Sequence, residues 1–290
     1  MRVAAVDLGT NTTRLLVADV ADGRVEELHR ESRITRLGEG VEERGRLLPL
    51  PIARVRNVLA DYRRTLESLG AERTLAAATS AVRDAENGEA FLGEVEWSYG
   101  FVTQLLSGDE EAELTRRGVD PPPGTLVLDI GGGSTELILD DFHVSLPMGS
   151  VRFTERYGED VERCSAEAHA LLPQLSPRAA IGVAGTVTQL AAFDTEHVQG
   201  HELSRVRARQ QLQRLAGMTV AERRVLPHME PERAPVIVAG AAILVAVLDA
   251  YALDAIEVSE HDLLDGVALA AAELPEPVEG DAPPGAYTCC

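Results

Sequence analysis

Leu126–Asp140 reads LVLDIGGGSTELILD. An apolar run ends in Asp129, three glycines follow (Gly131, Gly132, Gly133), then Ser134 and Thr135, and a second apolar run begins at Leu137. Two short apolar runs around a glycine-rich turn predict a β-hairpin. Adjacent glycines are costly in a purely structural turn, because each loses much backbone freedom on folding. They suit a turn whose N–H groups must approach a ligand closely, and a concave row of such donors suits phosphate oxygens. Ser134 and Thr135 add hydroxyl donors. Asp129, at the strand end, is placed to hold a hydrated Mg²⁺ against those phosphates. The plain alternative is a tight hairpin with surplus glycine.

A second copy of the pattern argues for the ligand. Val6–Leu16 reads VDLGTNTTRLL, and a constant offset of 122 positions matches Asp7 to Asp129, Gly9 to Gly131, Thr13 to Thr135 and Leu15 to Leu137. Self-similarity at a fixed offset signals a duplicated unit. Two related halves, each with a phosphate-type hairpin, predict two domains facing one cleft.

At these residues the chain resembles the exopolyphosphatase / guanosine pentaphosphate phosphohydrolase (Ppx/GppA) family, of the actin-like ATPase and sugar-kinase superfamily. DLGTNTTRLL and LDIGGGSTEL look like its two phosphate-binding loops. ATSAVRDA (78–85), LSGDEEAEL (106–114), GVAGTVTQLAA (182–192) and PERAPVIVAGAAIL (231–244) continue the likeness in order, to about Ala272. The fold class this implies is α/β, with two ribonuclease-H-like (actin-like ATPase) domains around a central cleft. They would span 1–119 and 120–273, followed by a disordered tail over 274–290.

Composition limits the alternatives. The 290 residues suffice for two domains, and a hydrophobic fraction of 45% suffices for real cores. No apolar segment reaches the roughly 20 residues of a membrane span. The N-terminus enters a strand directly, without the features of a secretory signal, so a cytoplasmic protein is expected. Cys164 and the Cys289–Cys290 pair form neither a disulfide framework nor a zinc pattern. A net charge of −20 argues against general nucleic-acid binding. It does not exclude a polyanionic substrate, because Mg²⁺ and a local arginine lining can reverse the field while distant charge is screened within about 8 Å. All 27 basic residues are arginine, so no GxxxxGK[ST] loop exists.

Along the chain, Arg2–Val20 predicts a hairpin, Val25–Arg33 a third strand, 38–45 a loop and Leu50–Leu69 a helix stopped by Gly70. Thr74–Thr79 is a short strand, and Arg83 in the following turn can fork onto two phosphate oxygens. After a strand at Val102–Leu106, Ser107 and Glu110 have the spacing of a capping box, which accounts for Glu110 but not for Glu111. The resemblance makes Glu111 the base that activates the attacking water. A carboxylate near a helix N-terminus is favoured in its charged form. Pro121–Pro123 cannot continue a helix and mark the domain boundary. Gly185 and Thr186 sit where a strand meets a helix, a second kind of anion site. Arg205, Arg207 and Arg209 alternate with Val206 and Ala208, as a basic strip or a solvated face. His261–Asp262 lacks the further ligands that metal-dependent phosphohydrolysis needs. Leu264 stands where the commonest family pattern has arginine, which counts against handling of a guanosine polyphosphate.

The resemblance then implies an exopolyphosphatase. Asn11, Thr12, Gly131, Gly132, Gly133, Ser134, Gly185 and Thr186 would bind phosphate. Arg14 and Arg83 would offset charge, Asp129 and Asp7 would hold Mg²⁺, and Glu111 would activate water. The partner is inorganic polyphosphate, with guanosine pentaphosphate and a second copy of the chain admitted, and no membrane or nucleic acid. The competing readings are a guanosine pentaphosphate phosphohydrolase, a kinase of the same superfamily, and a non-catalytic polyphosphate or alarmone sensor.

Overall fold

The computed structural model describes residues 1–275; the tail expected over 274–290 lies almost wholly outside them. The chain divides into two compact units. One is Met1–Gly118 with the segment from Leu263 on, and the other is Val119–Asp262.

In unit 1, β1 (Arg2–Leu8), β2 (Thr12–Ala21) and β3 (Arg24–Ile34) form an antiparallel meander. A short helix α1 (Val41–Arg44) and a long one, α2 (Pro49–Ser68), lead to β4 (Arg73–Ala78), parallel to β1. Then come α3 (Ser80–Arg83), α4 (Gly88–Tyr99), β5 (Val102–Leu105, parallel to β4) and α5 (Gly108–Val119). The strand order is β3-β2-β1-β4-β5. Side chains alternate across a strand. Accordingly Ala4, Val6 and Leu8 join one core with Val55, Leu59, Tyr62 and Phe91, while Val3 and Ala5 join another with Leu106 and Leu114. The apolar stripe of α2 recurs at Val55, Leu59, Tyr62 and Leu66, the spacing of a one-faced helix. Beyond it Gly70 adopts φ 74°, and Ala71 N–H returns to Leu66 O at 3.0 Å, as a helix C-terminus requires.

In unit 2, β6 (Thr125–Ile130), β7 (Thr135–Leu139) and β8 (Phe142–Leu146) repeat the meander, followed by α6 (Ser150–Tyr157) and α7 (Val161–Leu171). Next are β9 (Ala179–Val183, parallel to β6), α8 (Ala184–Ala192), β10 (Glu202–Ser204), α9 (Arg205–Ala216) and α10 (Val220–Arg224). The unit closes with α11 (Ile237–Ala250) and β11 (Ala255–Val258), parallel to β9. The order β10-β11-β9-β6-β7-β8, read from its β8 edge, repeats unit 1 strand for strand and direction for direction, with β10 added. Helix α11 is buried on every face from Ile237 to Leu248, as expected of a helix apolar all round; α6, α7, α8 and α9 surround it.

The structure differs from the sequence reading in four places. The expected loop at 38–45 contains α1, and β10 has no sequence counterpart. Arg205, Arg207 and Arg209 lie on α9. Their partners are Asp254 for Arg205 (3.0 Å), Asp194 for Arg207 (2.6 Å) and Asp249 for Arg209 (2.5 Å), so of the two readings the run is the solvated face, charge-compensated and helical, and not the basic strip. Finally, α12 (Leu263–Glu273) belongs to unit 1, not to the second domain as its place in the chain suggested. Its apolar residues Leu263, Leu264, Val267, Ala268 and Ala271 fill the core formed by Val3, Ala5, Leu16 and Ala18. The carboxylate of Asp265, nearly buried, accepts two bonds from Arg30 Nη2 (3.2 and 3.0 Å). The backbone of α12 passes so near α5 that a Cβ on Gly266 would lie 2.5 Å from the Leu114 carbonyl carbon.

Candidate functional site

The two glycine turns are built to one plan. In the first, Gly9 N–H donates to Thr12 O (3.1 Å); in the second, Gly131 N–H donates to Ser134 O (3.0 Å). The carbonyls of the first turn are consumed from behind. Asn11 O accepts from the amides of Thr35 (3.0 Å) and Arg36 (2.9 Å), and Thr10 O from Gly38 (2.8 Å). In the second, Gly131 O accepts from Ser150 N (3.0 Å), and Gly132 O from Val151 N (2.8 Å) and Arg152 N (3.0 Å). Arg152 Nε adds a bond to Gly133 O (2.6 Å). The following threonines are anchored alike, Thr13 Oγ1 to Thr35 Oγ1 (2.9 Å) and Thr135 Oγ1 to Met148 O (2.6 Å). With the carbonyls engaged, the amides of Thr10 and Asn11, and of Gly132, Gly133 and Ser134, make no backbone turn bond among the described residues. These are the donors an anion would use.

A glycine on the covering segment permits this closeness in both units. A Cβ on Gly38 would press on Thr10 and lie 3.1 Å from Ala81 Cβ. One on Gly149 would lie 2.5 Å from the carbonyl carbon of Gly132 and 2.6 Å from that of Gly133.

In unit 1 two sequence-selected residues meet. Arg83, the last residue of α3, donates through Nη1 to Glu111 Oε2 (3.2 Å) and to Leu106 O (2.6 Å). Glu111 is 6% exposed. Its neighbour Glu110 performs the capping: Ser107 N–H reaches Glu110 Oε2 (2.8 Å) and Glu110 N–H reaches Ser107 Oγ (3.2 Å). The Ser107 amide and hydroxyl hold the Glu110 carboxyl below its usual range. The cap thus uses one glutamate and leaves the next facing Arg83. Helix α3 is tied to the first turn by Thr10 Oγ1···Ser80 Oγ at 2.9 Å, between two buried hydroxyls.

Asp7 and Arg14 are cross-strand neighbours, and Arg14 Nε donates to Asp7 Oδ2 at 2.8 Å. By the strand alternation they share the sheet face of Val3, Ala5 and Leu16, the face that α12 covers. The ion pair engages both residues, one expected at phosphate and the other at a metal. The same register in unit 2 sets Asp129 opposite Glu136, both buried. Two carboxylates thus stand where unit 1 has a carboxylate and a cation, and Ser145 Oγ donates to Glu136 Oε1 (2.8 Å). The sequence reading missed Glu136, although pairing residues outward from the turn would have found it.

Gly185 and Thr186 open α8. Ala184, just before them, has φ 61°, a left-handed conformation costing a non-glycine residue about 1–2 kcal/mol. A Cβ on Gly185 would collide with the Arg233 guanidinium, 2.5 Å from its Nη2. Arg233 was also missed; nothing local in the sequence points from PER(231–233) to a turn so far upstream. Its Nε is held by Glu230 Oε2 (2.6 Å). Gly240 of α11 faces the same turn, its added Cβ 2.7 Å from Thr186 Cγ2 and 3.4 Å from Ser150 Cβ.

Among the described residues no group of three or more His, Cys, Asp and Glu could hold a metal. Mg²⁺ does not need one: it is commonly held by one or two carboxylates, with phosphates and waters completing the shell. Asp129 with Glu136 meets that requirement; Asp7, engaged by Arg14, meets it less well.

The sequence model of the Ppx/GppA phosphatase family matches residues 16–274. The chain belongs to the Ppx/GppA phosphatase family.

Among Ppx/GppA relatives, the chain is similar to "Exopolyphosphatase 2" of Mycobacterium tuberculosis, at 38% identity over 93% of this chain and 98% of that one. Solved structures agree. A Ppx/GppA family member from Aquifex aeolicus is 29% identical and superimposes with a TM-score of 0.77, over 94% of this chain and 98% of that one. An exopolyphosphatase from Cytophaga hutchinsonii is 25% identical, with a TM-score of 0.84 over 92% and 96%. The α/β architecture of two similar units is therefore that of the family. Leu264, read as a departure from the Ppx/GppA pattern at the site, is wholly buried in the core of α12. It has a packing role and carries no argument about substrate. Cys164 is buried, its thiol pushed up to about 11 by desolvation. No helix of the described residues is long and apolar enough to cross a membrane.

Proposed function

We propose that the protein is an exopolyphosphatase, releasing orthophosphate from the end of inorganic polyphosphate in the cytoplasm. The observation that carries this reading is Glu111: a buried carboxylate in the first turn of α5, relieved of capping by Glu110 and facing Arg83. The 38% identical Exopolyphosphatase 2 supports it. In this reading the amides of the two turns, with Asn11, Thr12, Gly131, Gly132, Gly133 and Ser134, grip phosphate oxygens. Gly185 and Thr186, with Arg233 beside them, take a further phosphate. Arg83 neutralises charge on the transferred group and keeps Glu111 in place. Arg14 orients Asp7. Glu111 takes a proton from water as the water oxygen bonds to phosphorus, the bridging P–O bond breaks, and the shortened chain leaves. Asp129 and Glu136 would hold a Mg²⁺ ion, which would supply neutralisation of phosphate charge; Asp7 is a less suitable ligand because Arg14 engages it. Phosphoryl transfer rests on positioning and charge stabilisation.

The test is orthophosphate release, with and without Mg²⁺, from long-chain polyphosphate, guanosine pentaphosphate and ATP in parallel, by wild type and Glu111→Gln. The expected result is release from polyphosphate that falls by about 10²–10⁴-fold in the variant. Preference for guanosine pentaphosphate would replace the substrate. Binding without turnover, indifferent to Glu111→Gln, would replace the enzyme with a sensor.

A further inference from the structure

Arg233 reaches the start of α8 with its guanidinium already oriented. The side chain is 13% exposed, and its flat end fills the place of a Cβ on Gly185. Its main chain is fixed on both sides. Arg233 N–H donates to Glu230 O (2.9 Å), and Arg233 O accepts the amides of Val236 (2.9 Å) and Ile237 (3.0 Å). The next carbonyl, Ala234 O, accepts from Nη1 of the wholly buried Arg223 (2.9 Å). Of the Arg233 guanidinium nitrogens only Nε has a hydrogen-bond partner among the described residues, Glu230 Oε2 at 2.6 Å. Nη1 and Nη2, with four of the five N–H donors, have none there, and neither is closed to water. Glu230 is held in its turn by Gln189 of α8, which is 4% exposed. Both ends of the Gln189 amide go to this loop: Oε1 accepts Glu230 N–H (3.0 Å), and Nε2 donates to His228 O (2.8 Å).

The Glu230 side chain is 55% exposed, and an exposed ion pair adds little to stability. A carboxylate beside an anion site also repels the anion. Stability and charge leave Glu230 without a use; orientation gives it one. Resting on the reading that Gly185, Thr186 and Arg233 take a phosphate of the polyphosphate chain, we propose that Glu230 is a positioning residue for Arg233. By occupying Nε it presents Nη1 and Nη2 together, end-on, to two oxygens of one phosphate. Gln189 fixes the loop from which Glu230 does so. An arginine left free would lose its rotamer freedom only on binding, at a cost of about 3–10-fold in affinity. Glu230 removes that cost before the ligand arrives.

The experiment uses the full chain as wild type, Glu230→Ala, Glu230→Gln, Gln189→Met, Arg233→Ala, and Glu230→Ala combined with Arg233→Ala. It measures calorimetric Kd for long-chain polyphosphate with Mg²⁺, and KM and kcat for orthophosphate release. Arg233→Ala is expected to raise Kd about 10–100-fold, as the loss of hydrogen bonds from a charged donor does. Glu230→Ala is expected to raise Kd and KM about 3–10-fold, the loss falling on KM rather than kcat. Glu230→Gln removes the same charge but keeps an acceptor for Nε–H, and is expected to bind within about twofold of wild type. The double variant should bind as Arg233→Ala alone does, because Glu230 acts through Arg233. Binding unmoved or tightened by Glu230→Ala would overturn the proposal, making Glu230 a bystander or a repelling charge. So would Glu230→Gln as weak as Glu230→Ala, or a Glu230→Ala loss that persists in full when Arg233 is absent. Gln189→Met should weaken binding as Glu230→Ala does, and wild-type affinity there would overturn the role of Gln189. Where Gln189→Met does not melt cooperatively, the exposed Glu230 variants decide. Wild type that binds polyphosphate without releasing orthophosphate overturns the hydrolase reading alone, and the binding series still decides the proposal. Wild type that does not bind overturns both, as does Arg233→Ala binding like wild type for the role of Arg233 and of Glu230 behind it.

Discussion

Gly149→Ala separates two reasons for glycine near a phosphate-type turn. The backbone of Gly149 is extended, φ −152° and ψ 161°, so alanine meets no conformational penalty. The obstacle is space. The new methyl would lie 2.5 Å from the Gly132 carbonyl carbon and 2.6 Å from that of Gly133, about 1 Å inside ordinary carbon–carbon separation. Both neighbours are main chain, so no side chain can swing away. The start of α6 must retreat, which loosens the three amide bonds from Ser150, Val151 and Arg152 to the turn. At a net 0.5–1.5 kcal/mol per hydrogen bond, the expected loss is about 2–4 kcal/mol, similar to other cases of forced overpacking. That corresponds to a fall in Tm of about 6–15 °C. The assay is thermal unfolding by circular dichroism alongside phosphate-release kinetics. Gly93→Ala serves as the control, because that glycine lies on the exposed face of α4 with nothing within 4 Å of an added Cβ; it should gain about 0.5–1 kcal/mol. A Gly149→Ala protein melting within 1–2 °C of wild type would refute the packing argument. Unchanged Tm with a raised KM would mean that glycine serves the ligand directly.

Two further outcomes follow from single contacts. Ser107→Ala should cost about 1 kcal/mol at pH 7 by chemical denaturation, as the loss of an N-cap does. Because Ser107 holds the folded Glu110 carboxyl below its ordinary value of 4.5, this stabilisation is fully present above that pH. It is lost as pH falls through the lowered value, so the wild-type advantage should shrink in acid; an advantage that grows there would refute the assignment. Leu264→Ala should cost about 2–5 kcal/mol as a buried truncation, and leave the ratio of kcat/KM for polyphosphate to that for guanosine pentaphosphate unchanged; a shifted ratio would return Leu264 to the substrate argument.

What could be read from the sequence was what local pattern encodes. The hairpin around Gly131–Gly133 declares itself by alternation and glycine, and its repeat at Asp7–Leu15 by a fixed offset. The Ser107–Glu110 box isolates Glu111 before any coordinates exist. Partners supplied by distant segments were hidden. Nothing at 263–273 says that this helix returns to the first sheet, because an apolar stripe fits any apolar face. Nor does anything near Gly185 announce Arg233, whose guanidinium fills the space of a Cβ there. Asp7 and Arg14 were assigned to metal and phosphate one at a time; their ion pair comes from the hairpin register, which side-chain types alone do not give.

The duplication also bears on what each turn is for. The segments covering the two turns share no sequence: Thr35–Gly38 is a loop, and Gly149–Arg152 a helix start. Both spend their amides on the turn carbonyls and both bring a glycine against the turn's second residue. Backbone amides engage the second and third carbonyls of the first turn, and the first and second carbonyls of the second; what the turns share is engaged carbonyls on one side, which points to a constraint on the opposite side, where the amides are. If packing alone governed the turns, their own residues would also match. They do not: Gly131-Gly132-Gly133-Ser134 faces Gly9-Thr10-Asn11-Thr12 in the alignment, and a side-chain carbonyl occurs in the first turn only. A duplicated phosphate grip needs amides twice.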